Sequence, residues 1–154
     1  NGLSGGGGGP SRTNPAALIA IARTYIGLDE TGRLSDRDFR TRLIEQDMNA
    51  KAYALTSTRV ALEARNQNGP SAATSIMKNA SSSISTNHCE MVIEALGQQG
   101  LGWEGDDFTA EELTAARAYL RIKSSTIAGG SYEIQNNIIS KRILGLPDTN
   151  KHTY

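Results

Sequence analysis

Apolar residues recur every three to four positions along most of the chain, and this spacing predicts amphipathic helices. Asn14 is a good N-cap residue, Pro15 suits the first helical position, and Gly27 suits the end of a helix. The apolar positions between them are Leu18, Ile19, Ala22 and Ile26. We therefore expect a short helix between Asn14 and Gly27.

Two longer helices are expected next. Ser35, with Asp38 three positions later, is typical of a helix start, and turn-forming residues at positions 66–70 mark the end. Between them an apolar stripe predicts about eight helical turns through Phe39, Leu43, Met48, Ala52, Leu55 and Leu62. A second stripe ends near Gly97 and contains Ile76, Met77, Ala80, Ile84, Met91, Val92, Ala95 and Leu96. A tight turn between two such helices predicts an antiparallel pair.

Two shorter helices are expected to close the chain. Thr109 and Glu112 have the spacing of a capping box, which predicts a helix to about Lys123 with an apolar face of Leu113, Ala116, Tyr119 and Leu120. The last helix is predicted from Tyr132 to Leu144, and we expect it to bury Ile134, Ile138 and Ile143. The period of two that is typical of strands is not sustained anywhere. The sequence therefore predicts an all-α fold, an antiparallel four-helix-bundle-like domain.

The helical region is flanked by segments of different composition. Positions 1–13 contain five consecutive glycines followed by Pro10, which indicates a glycine-rich loop or linker, with a disordered tail as the alternative. Positions 14–147 form the predicted bundle, and positions 148–154 are expected to be a frayed tail. The start at Asn1 leads us to expect that the chain begins in the middle of a longer protein.

Charge and composition exclude several classes of function. Sixteen basic residues balance sixteen acidic ones, so the electrostatic footprint of a nucleic-acid-binding protein is missing. No apolar run approaches the roughly 20 residues that span a bilayer. One cysteine, Cys89, agrees with a reducing compartment, and we expect a cytoplasmic location. His88 lies between Ile84 and Met91 without a second ligand at metal-binding spacing, so we interpret it as a packed histidine and predict no metal site.

The most informative segment is a glycine turn that leads into the last helix. Gly129 and Gly130 permit close approach of backbone or ligand, and Ser131 can cap the helix. The N–H groups at a helix N-terminus suit an anionic group, which makes this a candidate binding turn. The alternative is an ordinary capped helix that ends at Gly145, with Pro147 beyond it.

The run IAGGSYEIQNNIISKRILGLP at positions 127–147 resembles the closing signature of the acyl-CoA dehydrogenases. Members of that family close their last domain with a glycine-glycine-threonine turn, Glu-Ile-Gln, an Asn-Ile-Ile helix, a basic pair and Leu-Gly-Leu-Pro. Positions 120–126 also resemble the family's approach to the turn, and a looser similarity covers positions 14–100. The family has three domains, so the resemblance implies that this chain is the C-terminal helical domain alone.

The resemblance implies FAD-dependent oxidation of acyl-CoA to trans-2-enoyl-CoA, with electrons passed to an electron-transfer flavoprotein. The reaction needs a carboxylate base, and many members place a Glu where this chain has Gly129. Other branches place the Glu on the first helix of the family's bundle, and the resemblance puts that Glu position upstream of Asn1. We therefore expect no catalytic residue in this chain and no activity from it alone. Glu133 corresponds to a cofactor-contacting position rather than to the base.

The resemblance also assigns candidate FAD contacts, which the family makes across a subunit interface. It places Gly129, Gly130, Ser131 and Glu133 at the cofactor, with Ser131 in place of the family's Thr. Gly97 and Gly100 fall in a second glycine motif that departs from the family pattern at Glu94, Gln98 and Leu101. Its alternative interpretation is a glycine helix stop. Arg23 resembles an Arg beside the FAD diphosphate, with a solvated helix-end Arg as the alternative.

The resemblance further implies a homo- or hetero-oligomer. Two other functions remain open from the sequence. The first is a non-catalytic partner subunit of a heteromeric acyl-CoA dehydrogenase, and the second is a cofactor-free helical oligomerisation module.

Overall fold

A computed structural model describes residues 15–67 and 74–147 of the chain. The helices are α1 (Pro15–Tyr25), α2 (Arg37–Gln67), α3 (Thr74–Leu96), α4 (Ala110–Ile122) and α5 (Tyr132–Arg142). Short 3-10 helices, Gly97–Leu101 and Lys123–Thr126, follow α3 and α4. Within the described residues, the β pairing is an isolated bridge between Leu28 and Leu34. The all-α prediction is confirmed, whereas the predicted Asn14 cap, the 1–13 linker and the 148–154 tail lie outside the described residues.

Helix α3 is the centre of the domain, because α1, α2, α4 and α5 all pack against it. Helix α2 is antiparallel to α3: near its start, Arg42 forms an ion pair with Glu94 at the end of α3. The main core lies where α1, α2 and the last turns of α3 meet, and contains Leu18, Ala22, Leu34, Phe39, Leu43, Met91 and Ala95. Burial of these side chains supplies the driving force that holds the helices together.

The predicted capping box at the start of α4 is confirmed. The Thr109 side chain accepts a hydrogen bond from the Glu112 N–H, and the Glu112 carboxylate accepts one from the Thr109 N–H. The same carboxylate accepts a hydrogen bond from the Tyr25 hydroxyl at 2.7 Å. The hydrogen bond from the Thr109 backbone has the largest effect in lowering the pKa of Glu112, and the bond from Tyr25 adds to it. The cap of α4 therefore also ties the end of α1 to the bundle.

The predicted start of α2 was wrong by one residue. Asp36, rather than Ser35, occupies the capping role: its carboxylate accepts a hydrogen bond from the Phe39 N–H at 2.9 Å. The Ser35 hydroxyl instead donates to the Ile26 carbonyl at 3.0 Å. Ser35 is used to close the loop after α1, and the adjacent Asp is an equally good N-cap residue.

Only the first part of the apolar stripe that predicted α2 is buried. Phe39 and Leu43 are buried, but Met48, Leu55 and Leu62 are 63%, 73% and 54% exposed, and Ala52 is exposed too. At about 100° per residue, Phe39 and Leu43 share the side of α2 from which Gln46 contacts α3, and the exposed residues lie on the other side.

The burial predicted for α5 was also largely wrong. Ile134 and Ile143 are exposed, Ile138 is partly buried, and the buried residue of α5 is Gln135. Leu120 on α4 is likewise exposed. Helix α5 also ends at Arg142, two residues earlier than predicted. No part of the chain that the structure describes covers these exposed apolar side chains.

His88 is buried in the bundle, as the sequence predicted. Burial lowers the pKa of its imidazole, because a charged ring loses hydration there. An unfolded histidine has a pKa of about 6.5, so below that pH the unfolded state binds a proton that the folded state resists. The free energy of unfolding should therefore fall as the pH drops from about 7.5 through 6.5.

Urea denaturation at several pH values measures this dependence, with His88→Gln as the matched variant. We expect the variant to lose the pH dependence in this interval, whatever its absolute stability. An identical pH dependence in both proteins would contradict the assignment of this dependence to His88.

Among the described residues no group of three or more His, Cys, Asp or Glu side chains is placed to hold a metal ion.

Candidate functional site

The glycine turn lies between the 3-10 helix Lys123–Thr126 and α5. Gly129 and Gly130 both adopt positive φ, +75° and +102°, which L side chains rarely adopt. The turn is closed by backbone hydrogen bonds, from the Ala128 N–H to the Ser124 carbonyl and from the Gly130 N–H to the Ile127 carbonyl. Glycine is therefore needed at both positions for conformational reasons.

Gln135 holds the turn from within α5. Its buried side-chain amide donates a hydrogen bond to the Gly129 carbonyl at 2.7 Å. A Cβ atom on Gly130 would lie 2.8 Å from the same amide nitrogen, whereas a Cβ on Gly129 would meet open space. Gly130 is thus required by close packing, and Gly129 leaves an open face. The sequence showed Gln135 as part of the motif but gave no sign of this contact.

The start of α5 is occupied by a side chain of the protein itself. Ser131 is the N-cap residue, but its hydroxyl makes no capping hydrogen bond, in contrast to the prediction. A hydrogen bond with the Ser131 hydroxyl, and one from the Glu133 N–H, lower the pKa of the Glu133 carboxyl. The ionised Glu133 carboxylate occupies the place that a phosphate would take at the start of the helix. The site therefore suits a ligand group that donates a hydrogen bond. The lowered pKa also makes Glu133 a weak proton acceptor.

Helix α3 supplies residues to the site that the sequence did not indicate. The Lys78 ammonium lies 5.3 Å from the centroid of the Tyr132 ring and lowers the pKa of Glu133 by its positive charge. The Asn79 amide donates to the Asn136 side-chain oxygen at 3.0 Å. Because α3 precedes the turn by about fifty positions, only the three-dimensional contacts reveal these neighbours.

Apolar side chains border the polar turn. Ile127, just before the glycines, is 73% exposed, and Ile134, on the first turn of α5, is 54% exposed. Binding sites for small molecules commonly combine an apolar surface with a few fixed polar groups. The exposed isoleucines therefore give the turn an apolar surface beside the Ser131 hydroxyl and the Glu133 carboxylate.

The second predicted motif forms the end of α3. Gly97 has a φ of +58° and ends the helix, as a glycine stop does. Gly100 is buried, and a Cβ there would lie 2.9 Å from the Ile93 carbonyl oxygen. Close packing of the 3-10 helix Gly97–Leu101 against α3 therefore explains Gly100 without any ligand.

The structure separates the candidate residues into two groups. The start of α5 contacts Lys78 and Asn79 near one end of α3, whereas Gly97 ends the same helix. At 1.5 Å per residue, the two positions are about 27 Å apart along the axis. Exposed Arg23 lies in the last turn of α1, beside the Tyr25 that contacts α4. One chain therefore does not bring all seven candidate residues into one site.

Comparison with known protein families shows which family this chain is related to. Residues 19–144 match the family model described as acyl-CoA dehydrogenase, C-terminal domain. The chain belongs to the acyl-CoA dehydrogenase family. The match covers α2 to α5 and most of α1, so it includes both candidate groups. Family membership confirms the C-terminal domain inferred from the closing signature.

Curated relatives are acyl-CoA dehydrogenases from mycobacteria. Acyl-CoA dehydrogenase IpdE1 of Mycolicibacterium smegmatis is 43% identical over 58 residues, or 38% of this chain. IpdE1 of Mycobacterium tuberculosis is 40% identical over 58 residues. The matched part spans only 14% of the length of each relative.

A solved structure has the same fold. The crystal structure of the ChsE4–ChsE5 complex from Mycobacterium tuberculosis matches with a TM-score of 0.65 and 23% sequence identity. The match covers 89% of this chain and 37% of that chain. In the residues that the structure describes, no helix has the length and apolar character needed to cross a bilayer.

Proposed function

We propose that this chain is the flavin-contacting domain of an enzyme that oxidises acyl-CoA to trans-2-enoyl-CoA with FAD. The observation that carries the proposal is the glycine turn. It combines an open backbone face at Gly129, the Ser131 hydroxyl and the Glu133 carboxylate with the exposed Ile127 and Ile134. Family membership supports an oxidoreductase with a flavin.

The residues of the turn would hold the flavin by shape and hydrogen bonding. Gly129 allows the cofactor to approach the backbone, and Gly130 keeps Gln135 in place behind it. In this proposal the Ser131 hydroxyl turns from Glu133 to donate a hydrogen bond to the cofactor, and Glu133 accepts one from a ribityl hydroxyl or a ring N–H. When bound, FAD supplies the acceptor for the hydride that leaves the β-carbon of the substrate.

The second group would serve the cofactor of a neighbouring subunit. About 27 Å along α3 separates Gly97 from the glycine turn, a distance too long for both groups to contact one flavin ring. In this proposal Gly97, Gly100 and Arg23 meet the FAD held by another chain. The site is then complete only in an oligomer.

The proton acceptor of the reaction is proposed to lie outside this chain. Removal of the α-proton needs a carboxylate whose pKa is raised toward neutrality, and the pKa of Glu133 is shifted the opposite way. Gly129 offers no carboxylate at the position where many family members have one. The domain alone is therefore inactive. Substrate and electron-transfer flavoprotein would bind the complete protein.

A non-catalytic subunit of a heteromeric enzyme is the second candidate. It is favoured by Gly129 at a base position and by the solved structure of a complex between two differently named chains, ChsE4 and ChsE5. The third candidate, a helical module without a cofactor, has the exposed apolar surfaces of α2 and α5 in its favour.

The absorbance spectrum of the complete parent protein separates these functions. We expect flavin absorbance that bleaches anaerobically when a suitable member of a panel of acyl-CoA thioesters is added. A flavin that no thioester bleaches would favour the non-catalytic subunit. A protein purified without flavin, and unable to take it up, would contradict the proposal and leave the helical module.

A further inference from the structure

One face of α3 carries three polar side chains that contact the segments before and after the glycine turn. They are Lys78, Asn79 and Ser82, which helical spacing places on one side of α3. The Ser82 hydroxyl donates to the Ser125 carbonyl at 3.0 Å, before the turn. The Asn79 amide donates to Asn136 of α5, after the turn. Helix α3 therefore fastens the chain on both sides of the turn.

Lys78 contacts both sides by itself. Its ammonium lies 3.4 Å from the Thr126 carbonyl oxygen, at the end of the 3-10 helix that precedes the glycines. It also lies 5.3 Å from the centroid of the Tyr132 ring, at the first residue of α5. An ammonium forms a charge-assisted hydrogen bond with a carbonyl and is attracted to the face of an aromatic ring. One positive charge therefore joins the two segments between which Gly129 and Gly130 reverse the chain.

The charge of Lys78 also reaches the candidate site. The Ser131 hydroxyl contributes most to the lowered pKa of the Glu133 carboxyl, and the positive charge of Lys78 adds to it. Lys123, in the 3-10 helix before the turn, instead pairs with Glu90 of α3 at 2.6 Å. Lys78 thus offsets the negative charge of Glu133 at the start of α5.

We propose that Lys78 is a positioning residue for the flavin site, which holds the glycine turn in the conformation that receives the cofactor. It acts through Thr126 and Tyr132 and does not itself touch flavin. This inference rests on the proposed function, because it takes the glycine turn as the place where flavin binds. Two consecutive glycines leave the backbone free to adopt many conformations. A fixed contact on each side restricts that freedom before the cofactor arrives, which lowers the entropic cost of binding.

The affinity of the complete parent protein for FAD tests the proposal. We expect Lys78→Met, which keeps an unbranched apolar side chain but removes the charge, to raise the dissociation constant of FAD at least about tenfold. Lys78→Arg keeps the positive charge and should restore most of the affinity.

The matched control is Lys123→Met. It removes an ammonium that lies 4.5 Å from the centroid of the Tyr119 ring and bonds to Glu90, but it leaves the contacts of Lys78 in place. We expect its affinity for FAD to stay close to that of the wild type.

Two measurements on the 154-residue chain need no flavin. Titration of the Glu133 carboxyl by NMR should show a higher pKa in Lys78→Met than in the wild type, and a pKa that stays low in Lys78→Arg. Amide hydrogen exchange should be faster in Lys78→Met at Gly130, whose N–H donates to the Ile127 carbonyl within the turn. Circular dichroism checks that each variant folds.

The outcomes separate this role from the proposed function. Unchanged FAD affinity in Lys78→Met, or equal losses in Lys78→Met and in either Lys78→Arg or Lys123→Met, would overturn the role of Lys78 and leave flavin binding intact. Unchanged hydrogen exchange at Gly130 would overturn the role as well. A wild-type parent protein that binds no flavin would overturn the proposed function and, with it, the role of Lys78 in a flavin site.

Discussion

Replacing Phe39 with alanine should lower the free energy of unfolding by about 3–5 kcal/mol, the largest loss expected from a single substitution in this chain. Phe39 is fully buried where α1, α2 and α3 meet, among the core residues Leu18 and Met91. Its ring also lies 5.5 Å from the Arg42 guanidinium, which pairs with Glu94 of α3. Truncation removes buried apolar surface and leaves a cavity that three helices cannot all close.

Urea denaturation of the 154-residue chain measures this effect. Phe39→Leu keeps most of the buried volume and should lose much less stability. Leu120→Ala, at an exposed position of α4, should change the free energy of unfolding by less than about 0.5 kcal/mol. Similar losses for Phe39→Ala and Leu120→Ala would show that the core does not lie where α1, α2 and α3 meet.

Replacing Gly130 with alanine should cost about 1–3 kcal/mol and disrupt the glycine turn. The backbone φ of +102° strains any L side chain, and the new Cβ would meet the Gln135 amide nitrogen at 2.8 Å. Gln135 would have to leave the Gly129 carbonyl, so a buried hydrogen bond is lost as well.

Gly129→Ala is the matched variant for this prediction. Gly129 also has a positive φ, but a Cβ there meets nothing within 4 Å. The Gly129→Ala variant therefore measures the backbone strain without a clash with Gln135. We expect Gly129→Ala to be less destabilising than Gly130→Ala. Equal losses from the two would mean that contact with Gln135 contributes nothing to the turn.

Local signals in the sequence were sufficient to predict the helices. Pro15 and the Thr109–Glu112 capping box act within a few residues of themselves, and the structure starts helices at both places. The burial of His88 was also predictable, since apolar residues surround it at helical spacing. Helix starts and the burial of a residue such as His88 depend on residues that are close in sequence.

Features that depend on distant parts of the chain were not predictable. The apolar positions of α2 were predicted as one stripe, but only those at its start lie on the side of the helix that faces α3, which leaves Leu55 exposed. In α5 the pattern favoured burial of Ile134, yet Gln135 is buried because the Gly129 carbonyl needs a donor. Lys78 reaches the candidate site from α3, and nothing in its local sequence indicates this.

Contact between the glycine turn and a flavin is the central claim about this domain. The decisive measurement is the flavin content of the purified parent protein, with wild type, Gly130→Ala and Gly145→Ala compared side by side. Gly145 also has a positive φ, +63°, but lies beyond α5 with open space around it. We expect bound flavin in the wild type and in Gly145→Ala, and a large loss of flavin in Gly130→Ala. Equal flavin content in all three proteins, or none in the wild type, would contradict the account.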